Sequence, residues 1–163
     1  MSTDHHWIGV KPNPHEYFGF IYVITDVTAG RYYVGKKQYW AARRIKGCRS
    51  KVTDKRSSKW KSKCWSESDW RFYKGSSKNL QAWMEDHPTH QYEYRIVKQC
   101  RAKGTLHYSE IEALVRSGCL WIRSCETGEP LFFNRQIPAC KFRPQDFYGE
   151  EEWLIDVEGL VDE

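Results

Sequence analysis

Two short apolar runs separated by a turn constrain the fold of this chain more than any other feature. Residues 18–25 read Phe-Gly-Phe-Ile-Tyr-Val-Ile-Thr, a β-branched and aromatic run of strand length. Ala29-Gly30 can form a turn, and residues 32–35 (Tyr-Tyr-Val-Gly) have the composition of a second, short strand. The sequence therefore predicts a β-hairpin whose second strand ends on a glycine.

The rest of the chain alternates between helical and extended patterns. Three predicted helices, each followed by a glycine or proline stop, cover residues 36–45, 78–87 and 105–117. Residues 92–100 alternate as a half-buried strand does, and residues 131–137 form a short extended segment. This order predicts an α+β domain with a small three-stranded antiparallel sheet flanked by helices.

Composition narrows the class of protein. Aromatic residues make up 15% of the chain, with 8 Trp and 10 Tyr, so most of it should fold. No stretch approaches the roughly 18 apolar residues that span a bilayer, and residues 1–10 lack the apolar core of a signal peptide. None of the six cysteines forms a Cys-x-x-Cys pair, which favours reduced thiols over a zinc module. We therefore expect no membrane association and a cytoplasmic location.

Charge is distributed very unevenly along the chain. Residues 31–78 contain 16 Lys and Arg against three acidic residues, a local net charge of +13, whereas residues 145–163 carry −8. This asymmetry predicts a polyanion-binding middle and an acidic tail. We divide the chain into an N-terminal arm (1–17), a main domain (18–140) with a basic insertion at about 46–67, and the tail (141–163). The predicted DNA-binding residues are Lys37, Arg44, Arg49, Lys51, Lys55, Arg56, Lys59, Lys61 and Lys63.

Four side chains have the chemistry that phosphodiester hydrolysis needs, namely an activated water and cationic help at the phosphate. Tyr22 and Tyr33 lie on neighbouring predicted strands, so their hydroxyls can meet. Arg43 stands about two helical turns beyond the second strand if residues 36–45 are helical. Glu110, among apolar and aromatic neighbours on the third helix, is a credible single-carboxylate Mg²⁺ site.

The same residues carry a family resemblance. Gly19-Phe20-Ile21-Tyr22, a ten-residue spacer and Tyr33-Val34-Gly35 resemble the two signature strands of the GIY-YIG nuclease superfamily, although the first element has one residue more than Gly-Ile-Tyr. Arg43 and Glu110 stand where the family carries its arginine and its metal-binding glutamate. Asn134, in Phe-Phe-Asn, resembles the family's closing aromatic-Asn element. Residues 33–37, the basic insertion and residues 70–78 are similar to freestanding phage homing endonucleases, and the resemblance covers roughly residues 18–138.

The resemblance implies a role for each residue. Glu110 is expected to bind Mg²⁺, for which Mn²⁺ can substitute, and Tyr22 is the first choice for general base. A tyrosine has an ordinary pKa of about 10, so a nearby cation must lower it or a water must share the role. Tyr33 would orient water or phosphate, and Arg43 would contact the scissile phosphate. The remaining expected members of the site are Lys36 or Lys37, which would assist at the phosphate, and Asn134, which would brace the site.

Two of the expected site residues have alternatives in the sequence, and the expected activity has two alternatives. Arg44 takes the place of Arg43 if the helix shifts by one residue, and Glu112 is the weaker rival of Glu110. The implied activity is Mg²⁺-dependent cleavage of double-stranded DNA, with a homodimer or successive nicks needed to cut both strands. The alternatives are a restriction-like or repair nuclease, and a catalytically idle DNA-binding protein on the same fold. A phage-encoded chain would act in the host cytoplasm.

Overall fold

A computed structural model describes residues 4–44 and 63–138, with only the backbone described at residues 43, 44 and 63–65. The predicted acidic tail and the predicted insertion up to residue 62 therefore lie outside the described residues. Within the described part of the chain, no helix is both long and apolar enough to cross a membrane.

The predicted hairpin is present and its second strand is longer than expected. Strand β2 (Gly19–Asp26) pairs antiparallel with strand β3 (Arg31–Gln38) along its whole length. Asp26 closes the turn, because its Oδ1 accepts hydrogen bonds of 3.0 Å from the backbone N–H groups of Thr28 and Ala29. Gly30 adopts a φ of +62°, which glycine tolerates best.

The sheet has four strands, and it is mixed. Strands β1 (Ile8–Gly9) and β6 (Tyr92–Cys100) complete the order β1-β6-β2-β3. Strand β6 runs antiparallel to β2, but β1 adds in parallel to β6, so the α+β class is confirmed and the three-stranded antiparallel description is incomplete. A two-residue strand has too little periodicity to be predicted. It is held in place by Trp7, whose buried indole N–H donates to the backbone carbonyl of Trp70 at 2.5 Å.

The helix predicted over residues 36–45 is wrong. Strand β3 continues to Gln38, and strand β4 (Trp40–Arg44) follows, paired antiparallel with β5 (Lys63–Glu67) in a separate two-stranded sheet. Residues 36–38 are extended because they pair with residues 19–21 of β2. This pairing between segments distant in sequence outweighs the local helical pattern.

The two described α-helices agree with their predictions to within two residues. Helix α1 (Lys78–Asp86) begins after Ser77, whose hydroxyl accepts a hydrogen bond from the backbone N–H of Leu80. Helix α2 (Lys103–Arg116) is followed by Gly118 at a φ of +57°. A single 3₁₀ turn, Trp70–Phe72, precedes α1.

The four-stranded sheet separates two apolar clusters. Alternate residues of β2 serve each cluster, because successive strand side chains point to opposite faces. Ile21 and Val23 belong to the cluster that contains Leu106 and Leu114 of α2. The other cluster is rich in aromatic side chains and consists of Trp7, Phe20, Tyr22, Ile24, Tyr39, Trp70, Leu80, Ile96 and Phe133. Each fully buried large apolar side chain contributes about 1.5–3 kcal/mol to folding, so both faces of β2 are held firmly.

Candidate active site

Tyr22 lies at the centre of β2 and is only 1% exposed. It pairs with Gly35 of β3, and a Cβ at Gly35 would lie 2.6 Å from the Tyr22 hydroxyl oxygen. The tyrosine ring thus covers the glycine. Next to Tyr22 the register against β6 shifts, since Ile21 pairs with Lys98 but Tyr22 pairs with Ile96. Such a β-bulge re-aims a side chain and often lies beside an active site.

The two hairpin tyrosines meet on the same face of the sheet, as predicted. Their ring centroids are 6.1 Å apart and their hydroxyls are hydrogen-bonded to each other. This bond raises the pKa of Tyr22 and lowers the pKa of Tyr33, so it favours the ionised form of Tyr33 over that of Tyr22. A side-chain hydrogen bond from Ser76 also lowers the pKa of Tyr33. Both hydrogen bonds therefore favour the ionised form of Tyr33.

Burial has a larger influence on both tyrosines than these hydrogen bonds. Burial raises the pKa of Tyr22 well above 10 and also raises the pKa of Tyr33. Repulsion from Tyr73 and from the Glu110 carboxylate raises both pKa values further. Both phenols are therefore neutral near pH 7. Of the two, Tyr33 is the one whose hydrogen bonds, with Tyr22 and Ser76, would stabilise a negative charge on its oxygen.

Glu110 lies on α2, where it holds the ammonium group of Lys36 from β3. The Lys36 Nζ is 2.5 Å from Glu110 Oε2 and 2.6 Å from Nδ1 of His107. His107 and Glu110 are three residues apart on the helix and so share one face, with 3.7 Å between Nδ1 and Oε2. The three side chains are 27% (Lys36), 13% (Glu110) and 24% (His107) exposed, so water reaches the group.

Lys37 points away from Lys36, because neighbouring strand residues face opposite sides of the sheet. Its Nζ lies 3.5 Å from the centroid of the Tyr73 ring and 2.6 Å from Oδ1 of Asp69. The hydrogen bond from Lys37 lowers the pKa of Asp69. Tyr73 in turn packs edge-on against Tyr22, with 6.0 Å between ring centroids. Lys36 thus lies beside Glu110, whereas Lys37 lies beside Tyr73, which packs on Tyr22.

Asn134 braces the outer edge of β3. Its Oδ1 accepts a hydrogen bond of 2.9 Å from the backbone N–H of Val34, and its Nδ2 donates one of 2.8 Å to the Val34 carbonyl. The preceding residues continue the same pairing through the backbone, because Tyr32 donates to the Leu131 carbonyl and accepts from the N–H of Phe133. The amide of Asn134 therefore holds the backbone between Tyr33 and Gly35 in place.

The structure places the predicted catalytic residues in two groups. Tyr22 and Tyr33 lie on one face of the sheet, and Lys36 lies with Glu110 on the face covered by α2, where the Glu110 charge still raises the pKa of both tyrosines. Asn134 braces the edge of β3. Arg43 lies on β4 rather than on a helix, where its backbone pairs with Cys64. The argument from helical spacing therefore no longer supports Arg43, and its side chain lies outside the described residues. The same holds for the side chains of these predicted DNA-binding residues: Arg44, Arg49, Lys51, Lys55, Arg56, Lys59, Lys61 and Lys63.

Three further side chains at the site were not among the predicted residues. His107 contacts Lys36, Tyr73 packs on Tyr22, and Ser76 hydrogen-bonds Tyr33. The spacing of three residues between His107 and Glu110 is a helical signal that could have identified the first. The other two lie in an irregular segment before α1, where no periodic pattern exists to predict their direction.

The residues around Glu110 fit a hydrated divalent cation. Their arrangement already holds a positive charge, since the Lys36 ammonium lies against both Glu110 and His107. Within residues 4–44 and 63–138 no group of three or more His, Cys, Asp or Glu side chains could hold a metal. One carboxylate with few other protein ligands suits an ion such as Mg²⁺, which keeps several of its waters.

Comparison with known protein families gives a match over most of the chain. The family model described as "Putative endonuclease segE, GIY-YIG domain" matches residues 3–137, most of the chain and nearly all of its described part. No curated protein and no solved structure matches. The matched residues include the whole four-stranded sheet, both helices and Asn134.

Proposed function

Since the chain belongs to this GIY-YIG endonuclease family, we propose that it is a Mg²⁺-dependent endonuclease that hydrolyses phosphodiester bonds in double-stranded DNA. The observation that carries the proposal is the pairing of Tyr22 and Tyr33 on one face of the hairpin, with the Glu110 carboxylate close enough to raise the pKa of both tyrosines. We further propose a freestanding homing-type enzyme of phage origin. Its support is the similarity of residues 33–37, 70–78 and the basic insertion to such enzymes.

Glu110 is the residue that would hold the metal ion. A bound Mg²⁺ supplies positive charge beside the phosphoryl oxygens of the substrate. Because Lys36 now forms an ion pair with Glu110 at 2.5 Å, its ammonium group has to move when a divalent cation binds there. Lys36 would then be free to contact a phosphate oxygen, the role that the sequence analysis predicts for Lys36 or Lys37.

Tyr33 is a better candidate for general base than Tyr22. Burial raises the pKa of Tyr22, as does its hydrogen bond with Tyr33, and both features oppose its ionisation. The hydrogen bonds with Tyr22 and Ser76 lower the pKa of Tyr33, so they would stabilise the charge that develops as Tyr33 takes a proton from the attacking water. Burial and Glu110 still raise the pKa of Tyr33, so the positive charges at the site must lower it again during the reaction.

Binding of the DNA backbone is assigned to the basic residues. Among the predicted DNA-binding residues, Lys37 is the one whose side chain the structure describes. It lies beside Tyr73 and Asp69. Arg43 remains our proposal for a phosphate contact, because β4 follows β3 after a single residue. The segment with a net charge of +13 would hold the duplex through phosphate contacts. One site handles one strand, so cutting both strands requires a homodimer or two successive nicks.

Nicking of a supercoiled plasmid by Glu110→Gln protein tests this function. We expect the variant to lose Mg²⁺-dependent nicking by at least about 100-fold and to keep its salt-sensitive binding of duplex DNA. Glu112→Gln is the matched control, because Glu112 forms its ion pair with Arg116 instead, at 3.3 Å. This control should cleave at nearly the wild-type rate.

Three outcomes would contradict the proposal. Equal, metal-insensitive nicking by the wild type and Glu110→Gln would place the activity elsewhere or in a contaminant. Salt-sensitive DNA binding by the wild type without cleavage in Mg²⁺ or Mn²⁺ would favour the alternative of an idle DNA-binding protein. Cleavage only at modified or damaged sites would instead favour the restriction-like or repair alternative.

A further inference from the structure

Two side chains of α2 direct their acceptor atoms at a single point. The Lys36 Nζ occupies that point, 2.5 Å from Glu110 Oε2 and 2.6 Å from His107 Nδ1. A lysine ammonium has only hydrogen-bond donors, so Nδ1 of His107 must be the acceptor in this contact. The Nδ1 lone pair and a carboxylate oxygen therefore converge on one cation.

This arrangement has nearly the dimensions of a metal-binding pair. Nδ1 and Oε2 are 3.7 Å apart, whereas adjacent ligands at about 2.1 Å from an octahedral ion are about 3.0 Å apart. The two side chains need to approach each other by the difference, about 0.7 Å. Their spacing of three residues on one helix face leaves that movement to side-chain torsions, without any change in the backbone.

We propose that His107 is a second protein ligand of the divalent metal ion, so that the metal centre consists of Nδ1 of His107 and the carboxylate of Glu110. This inference rests on the proposed function, in which Glu110 binds the metal. Imidazole nitrogen favours Mn²⁺, Co²⁺ and similar ions over Mg²⁺, for which oxygen ligands are preferred. The pair gives this chain a stronger preference for Mn²⁺ over Mg²⁺ than a lone carboxylate would. Water and substrate oxygens complete the coordination, which keeps the site open.

Lys36 acts as the competing cation at this site. Its ammonium group satisfies both ligands in the absence of metal, at 27% exposure and within reach of solvent. A divalent ion has to displace it, so removal of the ammonium should tighten metal binding. A Lys36→Met protein is therefore expected to bind Mn²⁺ several-fold more tightly than the wild type. If Lys36 only buttressed the helix, its replacement would leave Mn²⁺ affinity unchanged or weaken it.

Pulsed electron paramagnetic resonance of Mn²⁺ bound to the full chain tests the proposal without reference to activity. A directly bound imidazole produces ¹⁴N modulation, and wild-type protein labelled with [¹⁵N]histidine should replace it with the ¹⁵N pattern. The modulation should disappear in His107→Gln and persist in His15→Gln, a matched change at an exposed histidine. Titration should show Mn²⁺ affinity lowered by at least about 10-fold in His107→Gln, with a smaller change for Mg²⁺.

The outcomes separate this inference from the proposed function. Mn²⁺ binding that is lost in Glu110→Gln but shows no histidine nitrogen modulation in the wild type would overturn the role of His107 alone. Histidine modulation that persists in His107→Gln would overturn it as well, by assigning the nitrogen to another histidine. Absence of any Mn²⁺ binding that depends on Glu110 would overturn both the inference and the proposed metal site. The labelled wild-type measurement can still overturn the role of His107 if a variant fails to fold, because absence of histidine modulation excludes every histidine.

Discussion

Replacing Gly35 with alanine tests whether the close approach of β3 positions Tyr22. The new Cβ would lie 2.6 Å from the Tyr22 hydroxyl oxygen, 2.7 Å from Cζ of the same ring and 3.1 Å from Cε1 of Tyr33. Ordinary contacts of a Cβ begin at 3.4 Å, so the hydroxyl has to move by about 0.8 Å. Gly35 has no left-handed backbone conformation that would add strain, and the contact with the tyrosines is therefore the main cost.

The size of the effect follows from these distances. Forcing extra volume into a packed site destabilises the folded protein by about 1–3 kcal/mol. A Gly-to-Ala change also reduces the conformational freedom of the unfolded chain, which stabilises the protein by about 0.4–1 kcal/mol. We expect the free energy of unfolding to fall by about 1–2 kcal/mol. Because misplacement of a reacting group by about 1 Å can cost 100-fold in rate, plasmid nicking should fall by one to two orders of magnitude, more than the loss of stability explains.

Urea unfolding and plasmid nicking measure the two effects, and Tyr22→Phe provides the control background. Removing the hydroxyl eliminates the shortest contact of the new Cβ, at 2.6 Å. Gly35→Ala should therefore destabilise the Tyr22→Phe protein less than the wild type. An equal cost in both backgrounds would assign the strain to the ring carbon Cζ, which stays 2.7 Å from the new Cβ, and wild-type stability and rate for Gly35→Ala would refute the reasoning altogether.

Three further predictions concern the frame around the site. Asn134→Ala removes both hydrogen bonds to the β3 backbone, and its free energy of unfolding in urea should fall by about 1–3 kcal/mol. Burial alone would raise the pKa of Asp26, but hydrogen bonds from His90 and Trp83 lower it overall, so its stabilisation is present above pH about 4 and is lost as the pH falls through the lowered value. Asp26→Asn should therefore be less stable than the wild type by about 1–3 kcal/mol at pH 7, and urea unfolding should show the difference shrinking in acid. Burial raises the pKa of Tyr39, so its contribution is present below pH about 10 and is lost as the pH rises through the raised value. Between pH 10 and 12 the wild type should lose stability more steeply than Tyr39→Phe, by up to about 1.4 kcal/mol per pH unit, and parallel curves would contradict the role of burial.

The family and the tyrosine pair were predictable because their signal is local. The run at residues 18–25 has the strand period of two, and a β-hairpin places residues on adjacent strands beside each other. The family membership predicted from Tyr22, Tyr33 and the surrounding motif is confirmed. The roles of the individual residues stay predictions.

The helix predicted over residues 36–45 is wrong because contacts between segments distant in sequence decide the structure there. Lys36 and Lys37 are compatible with a helix in isolation, but pairing with Ile21 and Phe20 makes them extended. In a strand, neighbouring residues point to opposite faces of the sheet, so Lys36 and Lys37 lie on different faces. In a helix, neighbouring residues differ in direction by only about 100°. The cation beside Glu110 is consequently Lys36, while Lys37 lies with Tyr73.

The sequence by itself determined the hairpin, the α+β class, the strand at residues 92–100 and the candidates Tyr22, Tyr33 and Glu110, because each depends on a short periodic pattern or motif. Only the tertiary structure decided which cation pairs with Glu110, that His107 joins it, and that Asn134 bonds to the backbone of Val34. These features join residues distant along the chain: Lys36 and Glu110 are 74 residues apart, and Val34 and Asn134 are 100 apart. No local pattern records such contacts, since they arise from the packing of α2 and the closing segment against the sheet.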